Sequence, residues 1–341
     1  MSLSTVSPLD ISSLAAALCR HPIAPALIAV YVAYRMWPSK PRRSSKLPRS
    51  QERVVILGAS GGMGRSLALK YAQEGARVCI FARRELELSH VAEECREAGP
   101  KTASTEDGER VLVVRGDFTV VEDMVNLRSK VHEAWGGLDT LIVNAGVPTF
   151  RPFCELSGLE AKGRTFTPAE PDAAAIERAV QVVDKVTKTN YLGPVVSAAT
   201  FIPSLSSSMA PSIVLMASLA AVLPAPTLSL YNGSKAAALA FYQSLAIENP
   251  WITFTSVLPS TVRGEEFFGN AADGGKVRGQ DPESYGLSHD EVVSGVLDAV
   301  DRGQTTVWMP SRGRTAFFLY WLFPGFITKV ARKRYGYPAA D

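Results

Sequence analysis

A tyrosine and a lysine four residues apart, Tyr231 and Lys235, form a pair suited to proton transfer. They belong to a segment that leads into the helical stretch 236–248. Residues at positions i and i+4 of a helix share one face, so the phenol and the ammonium are expected to lie together. A nearby ammonium lowers the pKa of a phenol, ordinarily about 10, toward the range in which protons exchange readily. Ser218, thirteen residues upstream, adds a hydroxyl just after a predicted strand.

A glycine-rich turn follows the first predicted strand and reads Gly58-Ala-Ser-Gly-Gly-Met-Gly64. Glycine permits positive φ and a close approach of the backbone to a ligand. A helix beginning near Gly62 directs free N–H groups and its positive dipole end at a phosphate. The same letters can form an ordinary turn, but a strand before and a helix after them are typical of a dinucleotide site. The predicted cofactor contacts in this turn are Gly58, Ser60, Gly62, Met63 and Gly64.

The end of the second predicted strand indicates which nucleotide binds. It continues into Arg83-Arg84-Glu85, whereas NAD sites usually place an acidic residue there to accept from the ribose 2′-hydroxyl. Arg83 and Arg84 can instead form forked hydrogen bonds to a 2′-phosphate, and Glu85 lies beyond them. The predicted cofactor is therefore NADP(H). Asp117, after the third strand, is either an acceptor for the adenine amino group or a helix N-cap.

These residues follow segments that alternate between strand and helix. Apolar runs of four to seven residues separated by helical patterns are typical of βαβ units and of a parallel sheet covered on both faces. The predicted fold class is α/β: a doubly wound, Rossmann-like parallel sheet in one domain over 53–310, with ligands at the carboxyl ends of the strands. The predicted strands are 54–57, 77–81, 111–114, 138–143, 212–216, 251–257 and 305–309.

This set of motifs resembles the short-chain dehydrogenase/reductase superfamily. The glycine motif, Asn-Ala-Gly at 144–146, the serine and the Tyr-x-x-x-Lys motif occur in the order that the family has, over about 53–310. The Tyr-x-x-x-Lys motif alone would not indicate a family, but the four motifs in this order are specific for the superfamily. The apolar termini of the chain resemble the membrane-anchored branches of the family.

The resemblance implies a role for each catalytic residue. Tyr231 would be the general acid that protonates a carbonyl oxygen as hydride arrives at the carbon. Lys235 would stabilise the phenolate and bind the nicotinamide ribose, and Ser218 would donate a hydrogen bond to the substrate oxygen. Asn190 would hold a water in a proton relay to the lysine; the alternative is a polar residue inside a helix.

The resemblance extends to the rest of the pocket with some departures. Asn144 would stabilise the strand end beside the cofactor, and the backbone of Val262 would meet the nicotinamide amide. Gly264 stands where the family usually has threonine, so a hydroxyl contact to the cofactor is missing. Segment 149–172 is interpreted as a surface insertion that shapes the substrate entrance or a dimer contact. Segment 264–288 is where the family carries its substrate lid.

The composition of the chain excludes some classes of protein and some kinds of ligand. The 341 residues are 46% hydrophobic with a formal charge of +3, which excludes a disordered chain. No basic stripe interleaved with aromatic residues occurs in the body of the chain, so no nucleic-acid partner is expected. The four cysteines lack a CxxC pair and the four histidines lack HxxxH spacing, so no metal site built on them is expected.

The first 37 residues are predicted to be a membrane anchor. Residues 23–34 carry no charge, but Arg20 interrupts the longer apolar stretch 11–34, and a spanning helix needs about 20 apolar residues. The segment therefore either spans the membrane or lies on it. The basic linker 38–52 after it predicts a body on the cytosolic side, at the endoplasmic reticulum. The alternative is a disordered arm with an accidental apolar run.

A second apolar segment lies near the other end, at 316–327, with cations on both sides. Within the C-terminal stretch 311–341 this pattern suits the headgroup boundary of a membrane. Packing on the domain or on a second subunit of a homodimer fits equally well.

The sequence thus predicts an NADPH-dependent ketoreductase or alcohol dehydrogenase that acts on a lipophilic small molecule at a membrane. The alternative is a regulatory protein that binds NADP(H) and has lost turnover.

Overall fold

The computed structural model describes residues 26, 29–30, 42–100, 109–278 and 281–337. Nearly all of the predicted anchor, 1–37, lies outside the described residues. By its contacts the chain separates into two units, Met1–Pro41 and Arg42–Asp341. Within the described part of the chain, no helix is both long and apolar enough to cross a membrane.

A seven-stranded parallel sheet forms the centre of the second unit. The strands are β1 (Arg53–Leu57), β2 (Arg77–Ala82), β3 (Val111–Arg115), β4 (Thr140–Val143), β7 (Ser212–Met216), β8 (Thr253–Pro259) and β9 (Thr306–Met309), with a separate hairpin of β5 (Glu160–Lys162) and β6 (Thr165–Thr167). Their order is β3-β2-β1-β4-β7-β8-β9, and each pairing in this sheet is parallel. The seven strands predicted from apolar runs all occur, and the doubly wound α/β prediction is confirmed.

Helices cover both faces of the sheet. They are α1 (Gly62–Gln73), α2 (Glu85–Ala98), α3 (Val121–Trp135), α4 (Phe153–Leu156), α5 (Ala173–Thr187), α6 (Gly193–Phe201), α7 (Ser229–Glu248), α8 (Glu265–Gly269), α9 (Pro282–Tyr285), α10 (His289–Arg302), α11 (Arg312–Leu322) and α12 (Pro324–Arg334). Side chains alternate between the two faces of a strand. Val54 and Ile56 accordingly join an apolar cluster with α1, α2 and α10, and Val55 and Leu57 join another with α3, α6 and α7.

The parallel arrangement brings the predicted functional residues to one edge. The chain runs from β1 outward through β2 to β3, and then returns to β4 on the other side of β1. Strand order reverses at this point, and such a crevice is where open α/β sheets bind ligands. The glycine turn after β1 and Asn144 after β4 border it, so the site lies at the carboxyl ends of the strands.

The opposite edge of the sheet holds a buried ionic cluster. Glu52 is 0% exposed, and its carboxylate accepts from Arg43 Nη1 at 2.6 Å and is paired with Arg49. Arg43 also donates to Thr140 Oγ1 at 2.9 Å and to the Ala210 carbonyl at 2.7 Å. Residues 42–52 are thus not a free linker: a buried carboxylate requires cations, and this segment supplies them. The folded domain begins at Arg42, ahead of the predicted boundary at residue 53.

Most of the segment interpreted as an insertion lies on the surface, but Thr149 and Phe150 at its start are buried. After the short helix α4, β5 and β6 pair as an antiparallel hairpin, with Glu160 opposite Thr167. All six residues of these two strands are exposed.

Candidate active site

The pair predicted to transfer protons lies at the start of α7, where the helix passes the carboxyl end of β7. Tyr231 and Lys235 are both buried and stand one helical turn apart. Ser218 follows β7, and its hydroxyl lies close enough to that of Tyr231 to act on the pKa of the phenol. Lys235 Nζ donates to the Met216 carbonyl at 2.9 Å, and this bond fixes α7 against the end of the strand. The three side chains predicted to act together are therefore in one place.

Asn190 lies in a π-helical turn, Lys188–Leu192, between α5 and α6. Its buried side chain accepts from the Val147 N–H at 2.8 Å and donates to the Val147 carbonyl at 2.9 Å. A third bond, from Nδ2 to Ser234 Oγ at 3.0 Å, reaches α7. Asn190 thereby holds the chain after β4 against α7, and π-turns are frequent at functional sites. Its role in a water relay stays a prediction.

Gly146 shows how tightly these elements are packed. A Cβ at this position would lie 3.0 Å from Lys235 Nζ and 3.2 Å from Asn190 Oδ1. The glycine of the Asn-Ala-Gly motif is therefore needed for the close approach of the lysine and the asparagine to the backbone.

Burial dominates the ionisation of the pair. Burial raises the pKa of Tyr231 to about 12, and the Ser218 hydroxyl acts in the opposite direction. Burial also lowers the pKa of Lys235 to about 8. The expectation that Lys235 lowers the pKa of Tyr231 is not met here, because Nζ lies 6.0 Å from the centre of the phenol ring and is bonded to a carbonyl.

The glycine turn packs directly on the end of β4. Gly58 has a φ of +82°, and a Cβ there would lie 2.8 Å from Ala145 Cβ. Asn144 Nδ2 donates to the Gly58 carbonyl at 3.0 Å, and a Cβ on Gly64 would lie 2.0 Å from the same oxygen. The asparagine amide therefore ties the ends of β1 and β4 together beneath the glycine turn.

The two arginines after β2 have different surroundings. Arg84 donates to Ser60 Oγ through Nη2 at 2.9 Å and Nε at 3.1 Å, and it forms an ion pair with Glu266. Arg83 is largely exposed, with Nη1 3.7 Å from Asp117 Oδ2. The other Asp117 oxygen accepts from the backbone N–H and the hydroxyl of Thr119. Asp117 thus closes a turn before α3, and the N-cap position of that helix is Val120.

A cavity of about 1000 Å³ connects these groups. The predicted site residues that line it are Gly58, Ser60, Gly62, Met63, Arg83, Arg84, Asp117, Asn144, Ser218, Tyr231, Lys235 and Val262. Gly64 and Asn190 lie behind this surface and support it. Beside Val262, the N–H of Arg263 donates to the Leu287 carbonyl and the N–H of Leu287 to the Thr261 carbonyl, both at 2.9 Å. These bonds join the segment after β8 to Leu287, two residues before α10.

The outer part of the cavity is formed by residues that no motif indicates. The ring of Phe267 on α8 meets that of Tyr231 edge-on at 6.2 Å. Tyr335, after α12, packs in the same cluster as Tyr231. Arg334 lies over the Tyr285 ring at 4.9 Å and reaches Thr261 Oγ1 at 3.5 Å. The family resemblance predicted a lid at 264–288, which includes Phe267 and Tyr285, and the apolar character of the C-terminal segment was the other indication of such a wall.

The C-terminal helices have two different faces. Leu319 on α11 and Ile327 and Val330 on α12 line the cavity. On the outside, large apolar side chains are exposed, with Trp321 at 74%; the others are Phe318, Leu322, Phe323 and Phe326. Packing on the domain and contact with a membrane or a second subunit were both expected for this segment. The inner face packs on the domain, and the outer face has no cover in the described part of the chain.

Comparison with known proteins agrees with this geometry. A sequence model described as short chain dehydrogenase matches residues 52–270. The chain belongs to the short-chain dehydrogenase family. It is 32% identical over 283 residues to an 11-beta-hydroxysteroid dehydrogenase-like 4A of Arabidopsis thaliana, covering 82% of this chain and 83% of the relative. An 11-beta-hydroxysteroid dehydrogenase A of Sesamum indicum is 29% identical, with 83% and 75% covered.

Solved structures show the same family fold. A short-chain dehydrogenase/reductase from Burkholderia phymatum in complex with NAD has a TM-score of 0.63 at 20% identity, covering 81% of this chain and 94% of that one. An alcohol dehydrogenase from the archaeon Thermococcus sibiricus complexed with 5-hydroxy-NADP has a TM-score of 0.58 at 22% identity, covering 76% and 94%. One of these two neighbours was thus solved with NAD and the other with an NADP derivative.

Replacing Lys235 with methionine should stabilise this dehydrogenase near neutral pH. Burial lowers the pKa of Lys235 from 10.5 to about 8, which corresponds to a destabilisation of at most about 3 kcal/mol while the ammonium is charged. This cost is present below about pH 8 and is relieved as the pH rises toward 10.5, because the unfolded chain then binds more protons than the folded one. The gain from Lys235→Met should therefore shrink between about pH 7 and about pH 9.5, as measured by urea unfolding.

The matched control is Lys70→Met, since Lys70 is 40% exposed and pairs with Glu74 on the surface of α1. It should change the free energy of unfolding little at either pH. A loss of stability in Lys235→Met of the same size at both pH values would contradict the cost assigned to the buried ammonium.

Proposed function

We propose that this protein is an NADPH-dependent oxidoreductase that interconverts a carbonyl and an alcohol on a lipophilic substrate. The observation that carries the proposal is the shared cavity: Ser218, Tyr231 and Lys235 line one part of it, and the glycine turn with Arg84 lines another. The same wall continues into apolar side chains of α8, α11 and α12. One cavity therefore offers a proton donor, a phosphate-binding turn and an apolar surface.

The proposed mechanism follows from the hydroxyls and the ammonium. The glycine turn with Arg83 and Arg84 would hold NADPH, which when bound would supply the hydride for the carbonyl carbon. The Tyr231 hydroxyl gives its proton to the carbonyl oxygen, and the Ser218 hydroxyl donates a hydrogen bond that stabilises charge on that oxygen. Nζ of Lys235 lies 6.0 Å from the centre of the phenol ring, so this ammonium would have to move closer to stabilise the phenolate that Tyr231 becomes. In the reverse direction the phenolate accepts the alcohol proton.

Tyr231→Phe should abolish most turnover while preserving the packing of the ring. Removing a general acid lowers the rate by about 10²–10⁴-fold. The measurement is NADPH absorbance with a panel of carbonyl substrates, beside a titration of NADPH binding, which should change little. Tyr242→Phe is the matched control, because it removes another buried phenol hydroxyl of α7, one that donates to the Pro194 carbonyl at 2.9 Å. Near-normal turnover by Tyr231→Phe would refute the proposed mechanism.

The residues after β2 support NADP(H) as the cofactor. Arg84 and the Ser60 hydroxyl are already bonded to each other beside the glycine turn, and Arg83 stands next to them with most of its surface exposed. A 2′-phosphate is a dianion that guanidinium groups bind through paired hydrogen bonds. The glycine turn also suits the phosphates of such a cofactor. Gly58 and Gly62 have positive φ, and α1 begins at Gly62 with its free N–H groups.

Replacing both Arg83 and Arg84 with alanine should weaken NADPH far more than NADH. Charge-assisted hydrogen bonds contribute about 1.5–3 kcal/mol each, so the ratio of the two dissociation constants should shift by at least about tenfold. The measurement is fluorescence titration with each cofactor. Arg65→Ala is the control, because Arg65 pairs with Glu94 on the surface of α1. Equal weakening of both cofactors would count against a 2′-phosphate site.

The outer face of α11 and α12 supports a membrane surface as the partner. Aromatic and aliphatic side chains are exposed there, and the sequence has no acidic residue between Arg302 and Asp341. The nearby cations are Arg312, Arg314, Lys329, Arg332 and Lys333. Exposed apolar residues bordered by cations suit the boundary of an anionic bilayer. With the basic stretch at 35–53, this favours attachment to the endoplasmic reticulum with the domain in the cytosol.

Replacing Trp321, Phe323 and Phe326 together with serine should reduce vesicle binding of a chain that begins at residue 42. Burying such side chains in lipid contributes about 1.5–3 kcal/mol each, so partitioning should fall by more than about tenfold. The measurement is flotation with phosphatidylserine-containing vesicles, and high salt should also weaken binding. Ile247→Ser, on an exposed residue elsewhere, is the control. Equal flotation of both variants and the parent would refute this docking face.

A further inference from the structure

A carboxylate of the protein itself lies over the phosphate turn. Glu266, on α8, forms an ion pair with the Arg84 guanidinium, the group that also donates to Ser60 Oγ. The two Glu266 oxygens lie 2.2 and 2.5 Å from the place that a Cβ on Gly61 would occupy. Glu266 therefore lies among the groups proposed to bind the 2′-phosphate.

The glycine at position 61 is explained by this carboxylate. Gly61 has φ −179° and ψ −177°, an extended backbone that residues with side chains also adopt. Conformational freedom therefore does not require glycine at this position, whereas at Gly58 and Gly62 positive φ does. What a side chain at residue 61 would meet is the Glu266 carboxylate. The chain thus leaves room for an acidic group at this point of the turn.

The position is favourable for an anion in general. α1, a helix of twelve residues, begins at Gly62, and Gly61 is its N-cap residue. The first N–H groups of a helix and its dipole favour negative charge, whether it belongs to a side chain or to a ligand phosphate. With Arg84 on the other side, the carboxylate and a cofactor phosphate would use the same two sources of positive charge.

We infer that Glu266 is an internal competitor of the 2′-phosphate and that it sets how strongly this enzyme prefers NADP(H) to NAD(H). This inference rests on the proposed nicotinamide cofactor site. To bind NADP(H), Arg84 has to exchange the Glu266 carboxylate for the phosphate, because two anions cannot occupy one place. NAD(H) has a hydroxyl there and does not need Arg84, so it gains little when the carboxylate is removed.

The competition acts on affinity more than on stability. Arg84 and Glu266 are 44% and 39% exposed in their side chains, and an ion pair that accessible to water contributes little to folding. A phosphate dianion brought beside the carboxylate, in contrast, is repelled at close range. Removing the charge of Glu266 therefore leaves the fold intact and changes the charge that the cofactor meets.

The experiment measures dissociation constants of NADPH and NADH for the wild type, Glu266→Gln and Glu87→Gln. Glu266→Gln keeps the size of the side chain and removes its charge. It should tighten NADPH by about tenfold, equivalent to about 1.4 kcal/mol, and change NADH by less than about threefold. The gain should largely disappear in about 1 M NaCl, where charges are screened beyond about 3 Å. A purely structural role for Glu266 would not produce this salt dependence.

Glu87→Gln is the matched control. Its carboxylate also lies beside Arg84, 3.9 Å from Nε, but on α2 rather than on α8 over the glycine turn. It should change the NADPH/NADH ratio by less than about threefold. An unchanged ratio in Glu266→Gln, or weaker NADPH binding, would overturn the inference. A wild type that prefers NADH would overturn the proposed cofactor alone, and a shift toward NADPH in Glu266→Gln would then still support competition by Glu266.

Discussion

The buried ammonium of Lys235 is the constraint on which the arrangement of the site depends. A charge removed from water is costly unless polar groups surround it, and the Met216 carbonyl at 2.9 Å supplies one such group. Holding the lysine there brings the start of α7 against the end of β7, and Tyr231, one turn earlier, is placed next to Ser218. Gly146 has no side chain because Nζ approaches to 3.0 Å of where one would begin. The positions of two strand ends and one helix thus follow from accommodating a single cation.

Much of this arrangement was predictable because parallel strands end at one edge. Asn144 is far in sequence from Ser218 and Tyr231, but Asn144 follows β4 and Ser218 follows the neighbouring strand β7, so the order of strands brings them together. The apolar runs located all seven strands, since buried strands of a parallel sheet read as continuous hydrophobic segments. Tyr-x-x-x-Lys indicated the shared face correctly because helical spacing is a local property.

What could not be predicted depends on contacts between distant segments. Arg43 looks like a solvated linker residue in the sequence, and only the folded chain shows Glu52 buried beside it. The pKa of Tyr231 was expected to fall through Lys235, but burial, which spacing does not reveal, raises it. The prediction that Arg83 and Arg84 form forked hydrogen bonds to a 2′-phosphate rests on two adjacent residues of the sequence alone. In the structure Arg84 is shared with Glu266, 182 residues further along the chain, and no pattern in the sequence connects the two.

The C-terminal helices form a wall only one helix thick between the cavity and the outside. A helix with its side chains is about 10 Å across, and both faces of this wall are apolar. Under the proposed membrane docking, a molecule that adsorbs to the outer face is separated from the cavity beside Tyr231 by α11 and α12 alone. Its rate of supply then follows the number of molecules per unit area of that surface. Sparing solubility, which limits an enzyme that draws its substrate from bulk solution, ceases to be the limiting quantity.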